Sequence, residues 1–170
     1  MLKLCTKPES FLIGRNAMNS ERQHTELDLS DLYRDIIMDH RRDPRHFGNL
    51  ENCSHHAEAY NPVCGDRVCV QLKVNPETRK IEKQAFEGEG CSICMASASI
   101  MAEEIEAMSV GEAMERVQTF RDAMQDKLPS ESIEGDLQAL MGVKKFPVRI
   151  KCALLPWTTL KEALEKGSKI

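Results

Sequence analysis

The chain has 170 residues, 41% of them apolar and 29% charged, and a formal net charge of −4. That length fits one domain with a buried core. The mild negative charge, without any block of like residues, argues against a nucleic-acid partner held by electrostatics. No apolar run approaches the roughly 18 residues needed to cross a bilayer, so no membrane span is expected.

Residues 1–27 carry no clean periodicity and read as a flexible extension ahead of a single domain over 28–167, with Met18 as an alternative start. Their apolar stretch is too short for a signal peptide. Seven cysteines, an odd number without a secretory context, point to a reducing cytoplasm in which some thiols bind metal and others are buried. Cys5, Cys53 and Cys69 fall in the second group.

Leu29, Leu32, Tyr33, Ile36 and Ile37 step by three, one, three and one, which predicts one face of an amphipathic helix. Asp28 or Ser30 is placed to cap it and Asp43-Pro44 to end it, with His40-Arg41-Arg42 favoured at its negative end. Residues 45–60 form a loop that turns extended at 57–60. Period-two alternation then predicts strands at 68–74 and 80–87, joined by the turn Asn75-Pro76-Glu77-Thr78. Gly88-Glu89-Gly90 is expected to break the sheet, and Cys91 to open a helix rich in small residues. Ser109-Val110-Gly111-Glu112 is a capping box for a helix that buries Val117, Phe120 and Met124. Residues 127–145 read as a loop with one short helix. Pro147 starts a last helix that runs to about Lys166, with a kink expected at Pro156. The order is α, βββ, α, α, short α, α: an α+β fold with a small three-stranded antiparallel sheet packed against about five helices.

The chemistry concentrates in Asn61-Pro62-Val63-Cys64-Gly65-Asp66. Pro62 stiffens the approach and Gly65 permits a tight turn, so that a thiol and a carboxylate lie two residues apart on one side. Cys91, at a predicted helix start, and Cys152, early in the last helix, are the candidates to complete the set. Three thiolates and one carboxylate make a tetrahedral, zinc-preferring site. Arg149 and Lys151 lie beside Cys152, where cations lower a thiol pKa and offset the site's negative charge. Spacing alone leaves a purely structural zinc and a functional one equally open. Cys91-Ser92-Ile93-Cys94 also reads as CxxC, a weak redox signal without a thioredoxin-like context. His40, His46, His55 and His56 are expected to be exposed.

Three segments occur in order: Tyr60-Asn61-Pro62-Val63-Cys64-Gly65-Asp66, Gly90-Cys91-Ser92-Ile93 followed by Met95-Ala96-Ser97-Ala98-Ser99, and Arg149-Ile150-Lys151-Cys152-Ala153-Leu154-Leu155-Pro156-Trp157. Together they resemble the U-type (IscU/NifU N-terminal-like) iron–sulfur cluster assembly family, over roughly residues 28–165. The match is nearer the SufU-like branch. The scaffold branch carries Leu-Pro-Pro-Val-Lys and a His before its last cysteine, where this chain has Lys144-Lys145-Phe146-Pro147-Val148-Arg149 and Lys151. The resemblance implies Zn²⁺ on Cys64, Asp66, Cys91 and Cys152. It also implies that Cys64 takes sulfur from a partner cysteine desulfurase, a SufS-like pyridoxal-phosphate enzyme, for a downstream iron–sulfur scaffold. The alternative within the family is a scaffold that builds a [2Fe–2S] cluster on the same cysteines. Cys94 departs from the family, which commonly has Ser or another small residue there. Outside the family, a zinc-stabilised interaction module without turnover is the remaining reading.

Overall fold

The computed structural model describes residues 20–167, with side chains from Ser30 onward. Positions 1–19, which hold Cys5, Met18 and most of the expected extension, lie outside the described residues. The elements are α1 (Ser20–Arg42), β1 (His55–Asn61), β2 (Asp66–Val74), β3 (Ile81–Glu89), α2 (Ser92–Glu104) and α3 (Val110–Met124). A 3-10 turn (Ser130–Ser132), a longer 3-10 segment (Gly135–Lys145) and α4 (Pro147–Lys166) complete the chain. The α+β architecture is the one expected, with an antiparallel sheet in the order β1-β2-β3.

α1 starts upstream of both Asp28 and Ser30, so neither caps it. No glycine or proline lies between Ser20 and Arg42 to stop the helix earlier. Leu32, expected on its apolar face, is 53% exposed. His40 departs the other way and is buried. It follows Ile36 and Ile37 by four and three residues and so shares their inward face. Its Nδ1 lies 2.8 Å from Ser99 Oγ and its Nε2 lies 3.0 Å from Asp136 Oδ2, which ties α1 to α2 and to the long 3-10 segment.

The sheet turns Ala57, Val68, Val70, Leu72 and Phe86 inward, where α2 and α4 cover them. Cys69 alternates with Val68 and Val70 and therefore points to the other face; it is half-buried beside Arg67 and Glu87 and does not fill the core. His55 is buried in β1, not exposed in a loop, and burial pushes its pKa down. β3 continues through Gly88 and Glu89 where a break was expected. A Cβ at Gly88 would lie 2.3 Å from the Arg67 carbonyl oxygen, so the bare backbone is what lets β2 stay paired. The outer edge of β3 is covered by the loop after α1: Gly48 N–H donates to the Phe86 carbonyl and Phe86 N–H to the His46 carbonyl, at 2.9 and 3.0 Å.

Small side chains let α2 sit inside the molecule, with Cys94 through Ala102 all buried. Ser97 Oγ–H donates to the Ala153 carbonyl at 2.6 Å and accepts the Trp157 indole N–H at 3.1 Å, which fixes α2 against α4. At the start of α3 the capping box is formed: Glu112 N–H donates to Ser109 Oγ and Ser109 N–H to Glu112 Oε2. Ser109→Ala is expected to cost about 1 kcal/mol in denaturant unfolding. The 127–145 region is more ordered than a loop. Its 3-10 segment buries Leu137, Leu140, Met141 and Val143 in the main core. α4 begins at Pro147 and passes through Pro156, whose missing N–H leaves the Cys152 carbonyl without its usual helical donor. Among the described residues, no helix is long and apolar enough to cross a membrane.

Candidate metal centre

β1 and β2 form a hairpin in which Asn61 and Asp66 are the last paired residues, leaving Pro62–Gly65 as its loop. Gly65 has a φ of +72°, and its N–H donates to the Asn61 carbonyl at 2.9 Å. This closes the loop and carries Cys64 to the tip while Asp66 stays on the inner face of the sheet. Asp66 is wholly buried and Cys64 half-buried. α4 brings Cys152, also wholly buried, up beneath them.

The three side chains meet. One ligand atom each from Cys64, Asp66 and Cys152 lies within 4.8 Å of the others, and Cys152 Sγ–H donates to Cys64 Sγ at 3.1 Å. A tetrahedron with metal–sulfur arms of about 2.3 Å has edges of roughly 3.8 Å, so the cluster has the scale of a metal site. Asp66 Oδ1 accepts the Cys91 N–H at 2.8 Å and Oδ2 accepts Asn61 Nδ2–H at 3.3 Å. Among the described residues no cationic side chain pairs with it. A buried carboxylate without a counter-charge, beside two thiols, is the donor set a soft or borderline divalent cation fits.

Cys91 stands at the start of α2, in extended conformation, and touches the cluster through its backbone; its sulfur is not one of the three clustered atoms. Burial, then hydrogen bonding within the cluster, pushes the Cys152 thiol well up, against the lowering expected from neighbouring cations. Arg149 is the cation that reaches the site, with Nη1 3.8 Å from Cys64 Sγ. Hydrogen bonding to Cys152, then the charges of Cys91 and Cys64, raise the Arg149 pKa. Lys151 is exposed, and no side-chain hydrogen bond or ion pair involves it among the described residues. Around Cys64 the rim is apolar, with Val63, Phe146 and Val148 each at least 60% exposed, and Lys145 and Arg149 add positive charge.

Gly90 governs the position of the carboxylate. A Cβ there would lie 2.6 Å from Asp66 Oδ1. Gly90→Ala is therefore expected to displace Asp66 and weaken metal retention by about 10- to 100-fold, measured by chelator competition.

Cys94 is wholly buried one turn into α2, and burial, reinforced by the charge of Asp66, pushes its pKa up strongly, which keeps it a neutral thiol. Cys53 is half-buried in the loop before β1. His40, Glu103 and Asp136 form a second trio within 4.8 Å, with Arg45 also beside Glu103 at 3.8 Å; hydrogen bonds and an ion pair account for this group. The residue that sequence reasoning passed over is Asn61. Its signal was its place as the polar residue that opens the Pro-x-Cys-Gly-Asp turn.

The family model for the NifU-like N-terminal domain matches residues 32–165. A relative from Bacillus subtilis (strain 168), named zinc-dependent sulfurtransferase SufU, is 47% identical over 140 residues, which is 82% of this chain and 90% of the relative. A second, from Streptococcus pyogenes serotype M1 and named iron–sulfur cluster assembly scaffold protein IscU, is 36% identical over 141 residues, covering 82% and 87%. Among solved structures, one from Fervidobacterium islandicum AW-1, described as a SUF-system iron–sulfur cluster assembly scaffold, superposes with a TM-score of 0.71 at 35% identity. That match covers 76% of this chain and 94% of the other.

Proposed function

Because the chain belongs to the NifU-like N-terminal domain family of iron–sulfur cluster assembly proteins, we propose that it is a zinc-dependent sulfur acceptor serving a cysteine desulfurase. The observation that carries this reading is the unequal exposure of the clustered thiols. Cys64 sits half-buried at a loop tip under the Arg149 guanidinium, while Cys152 and Asp66 are wholly buried behind it. One sulfur is thus open to a donor and the other groups are positioned to hold.

Zn²⁺ bound by Cys64, Asp66 and Cys152, with Cys91 as the fourth donor, would keep the thiols deprotonated and the hairpin tip fixed to α4. In the transfer itself the Cys64 thiolate attacks the terminal sulfur of the donor's persulfide. A new S–S bond forms to Cys64, the donor's S–S bond breaks, and the donor cysteine leaves as a thiolate. Arg149 stabilises the anionic sulfur that remains on Cys64. The exposed Val63, Phe146 and Val148 supply apolar area for docking the donor, and Lys145 adds charge at the same rim. The 47% identity to the relative named zinc-dependent sulfurtransferase favours this reading over a scaffold role. Downstream, the acquired sulfur would pass to an iron–sulfur scaffold.

The test pairs metal content of anaerobically purified protein with sulfide release by a pyridoxal-phosphate cysteine desulfurase. About one zinc per chain, little iron and clear stimulation of the desulfurase are expected. Iron bound as a sulfide chromophore on the same cysteines, without stimulation, would instead make the protein a scaffold.

A further inference from the structure

We infer that Asn61 is a positioning residue that holds two metal ligands, Asp66 and Cys152, through its side-chain amide. This rests on the zinc reading above. Asn61 closes the hairpin opposite Asp66 and is only 7% exposed, although it belongs to a loop–strand junction beside the molecule's surface. Its side chain works at both ends. Oδ1 accepts the Val63 N–H at 3.2 Å, and Nδ2 donates to Asp66 Oδ2 at 3.3 Å and lies 3.7 Å from Cys152 Sγ. The orientation is determined by these partners. Turned over, the amide would set its oxygen against a carboxylate and a sulfur and its NH₂ against an N–H.

The two ligands come from different elements, β2 and α4, whose sequence separation is 86 positions by number. No backbone hydrogen bond links Asp66 to Cys152, so their mutual placement depends on side chains. Cys91 N–H holds Asp66 Oδ1 from the α2 side, and Asn61 holds Oδ2 from the hairpin side. The same NH₂ group reaches the sulfur of α4. A donor shared between a ligating carboxylate and a ligating sulfur fixes the aim of both and withdraws charge from each. Cys64 lies outside this clamp; it can therefore leave the cluster to take sulfur while Asp66 and Cys152 stay placed.

A bland alternative is that Asn61 only shapes the turn through Oδ1 and Val63. Asn61→Ser separates the two: a serine hydroxyl can accept the Val63 N–H but is too short to reach Cys152. The experiment uses the full chain as wild type, Asn61→Ser and Asn61→Ala, titrated with a zinc chelator and, separately, loaded with cobalt(II) as a spectroscopic probe. Both variants are expected to lose zinc about 10- to 100-fold more readily than wild type. Their thiolate-to-cobalt charge-transfer band should move to longer wavelength, since a sulfur without its hydrogen bond is more easily oxidised. Metal-free melting temperatures should move by no more than about 4 °C, the scale of one lost turn hydrogen bond. The inference is overturned if Asn61→Ser keeps zinc and the cobalt band as in wild type, or if weaker retention is matched by collapse of the metal-free fold. A wild-type protein that holds no zinc would overturn the metal reading itself, which is a separate result.

Discussion

Cys64→Ala is expected to leave a folded protein that no longer stimulates a cysteine desulfurase, with sulfide release falling to that of the desulfurase alone. A loss on the order of 100-fold or more in transfer is expected when the sole attacking atom is removed. The fold should survive because Cys64 is half-buried in the four-residue hairpin loop, where it contributes little to the core. Asp66 retains its bonds from Cys91 N–H and Asn61 in that variant. Circular dichroism and the desulfurase assay on the same sample make the comparison. Unfolding of Cys64→Ala would favour the interaction-module reading, in which the metal only holds the loops together.

Trp157→Ala has the largest expected effect on stability, a loss of about 3–5 kcal/mol. Trp157 is 1% exposed, packs at a tilt of 40° against Phe120 with ring centroids 4.9 Å apart, and donates its indole N–H to Ser97. Truncation opens a cavity between α3 and α4 and removes the indole donor from the buried Ser97 hydroxyl. At this chain length the melting temperature should fall on the order of 10 °C. Trp157→Phe should lose less, because a ring still fills most of the space; the missing hydrogen bond contributes about 1 kcal/mol and the smaller residual void adds to it. The substitution also bears on the site. Ser97 couples α2, which carries Cys91 at its start, to the α4 segment that carries Cys152. Thermal unfolding of the metal-free chain isolates the packing effect; a drop below about 1 kcal/mol would contradict this account of the core.

Much of this architecture was legible in the chain, and the misses have specific causes. Alternation along β2 and β3, the capping box before α3 and Pro147 at the head of α4 each rest on local backbone chemistry, and local chemistry is readable one segment at a time. The turn around Cys64 was equally legible, because Pro62, Gly65 and Asp66 impose its geometry within six residues. What depends on contact between distant segments was not. Gly88 looked like a breaker and is a close-approach residue inside β3, because the relevant neighbour is the Arg67 carbonyl across the sheet. His40 looked like a dipole-favoured surface residue and is buried, because Ser99 and Asp136 satisfy its ring nitrogens from 59 and 96 positions away. Cys69 is the exception that local pattern does explain: its alternation with Val68 and Val70 in β2 places it on the opposite face from the core. The 3-10 segment from Gly135 to Lys145 has no strong periodic signature of its own and is ordered by burial of Leu137 and Leu140.

In the sulfur-acceptor reading, Cys64 Sγ is the atom that receives sulfur. The most direct measurement is mass spectrometry of the protein after incubation with a cysteine desulfurase and cysteine, with free thiols blocked before digestion. The account predicts the mass of one added sulfur on the peptide bearing Cys64, and none on those bearing Cys91, Cys94 or Cys152. Sulfur found first on one of those three cysteines, or on no cysteine at all while iron and sulfide accumulate on the protein, would contradict it.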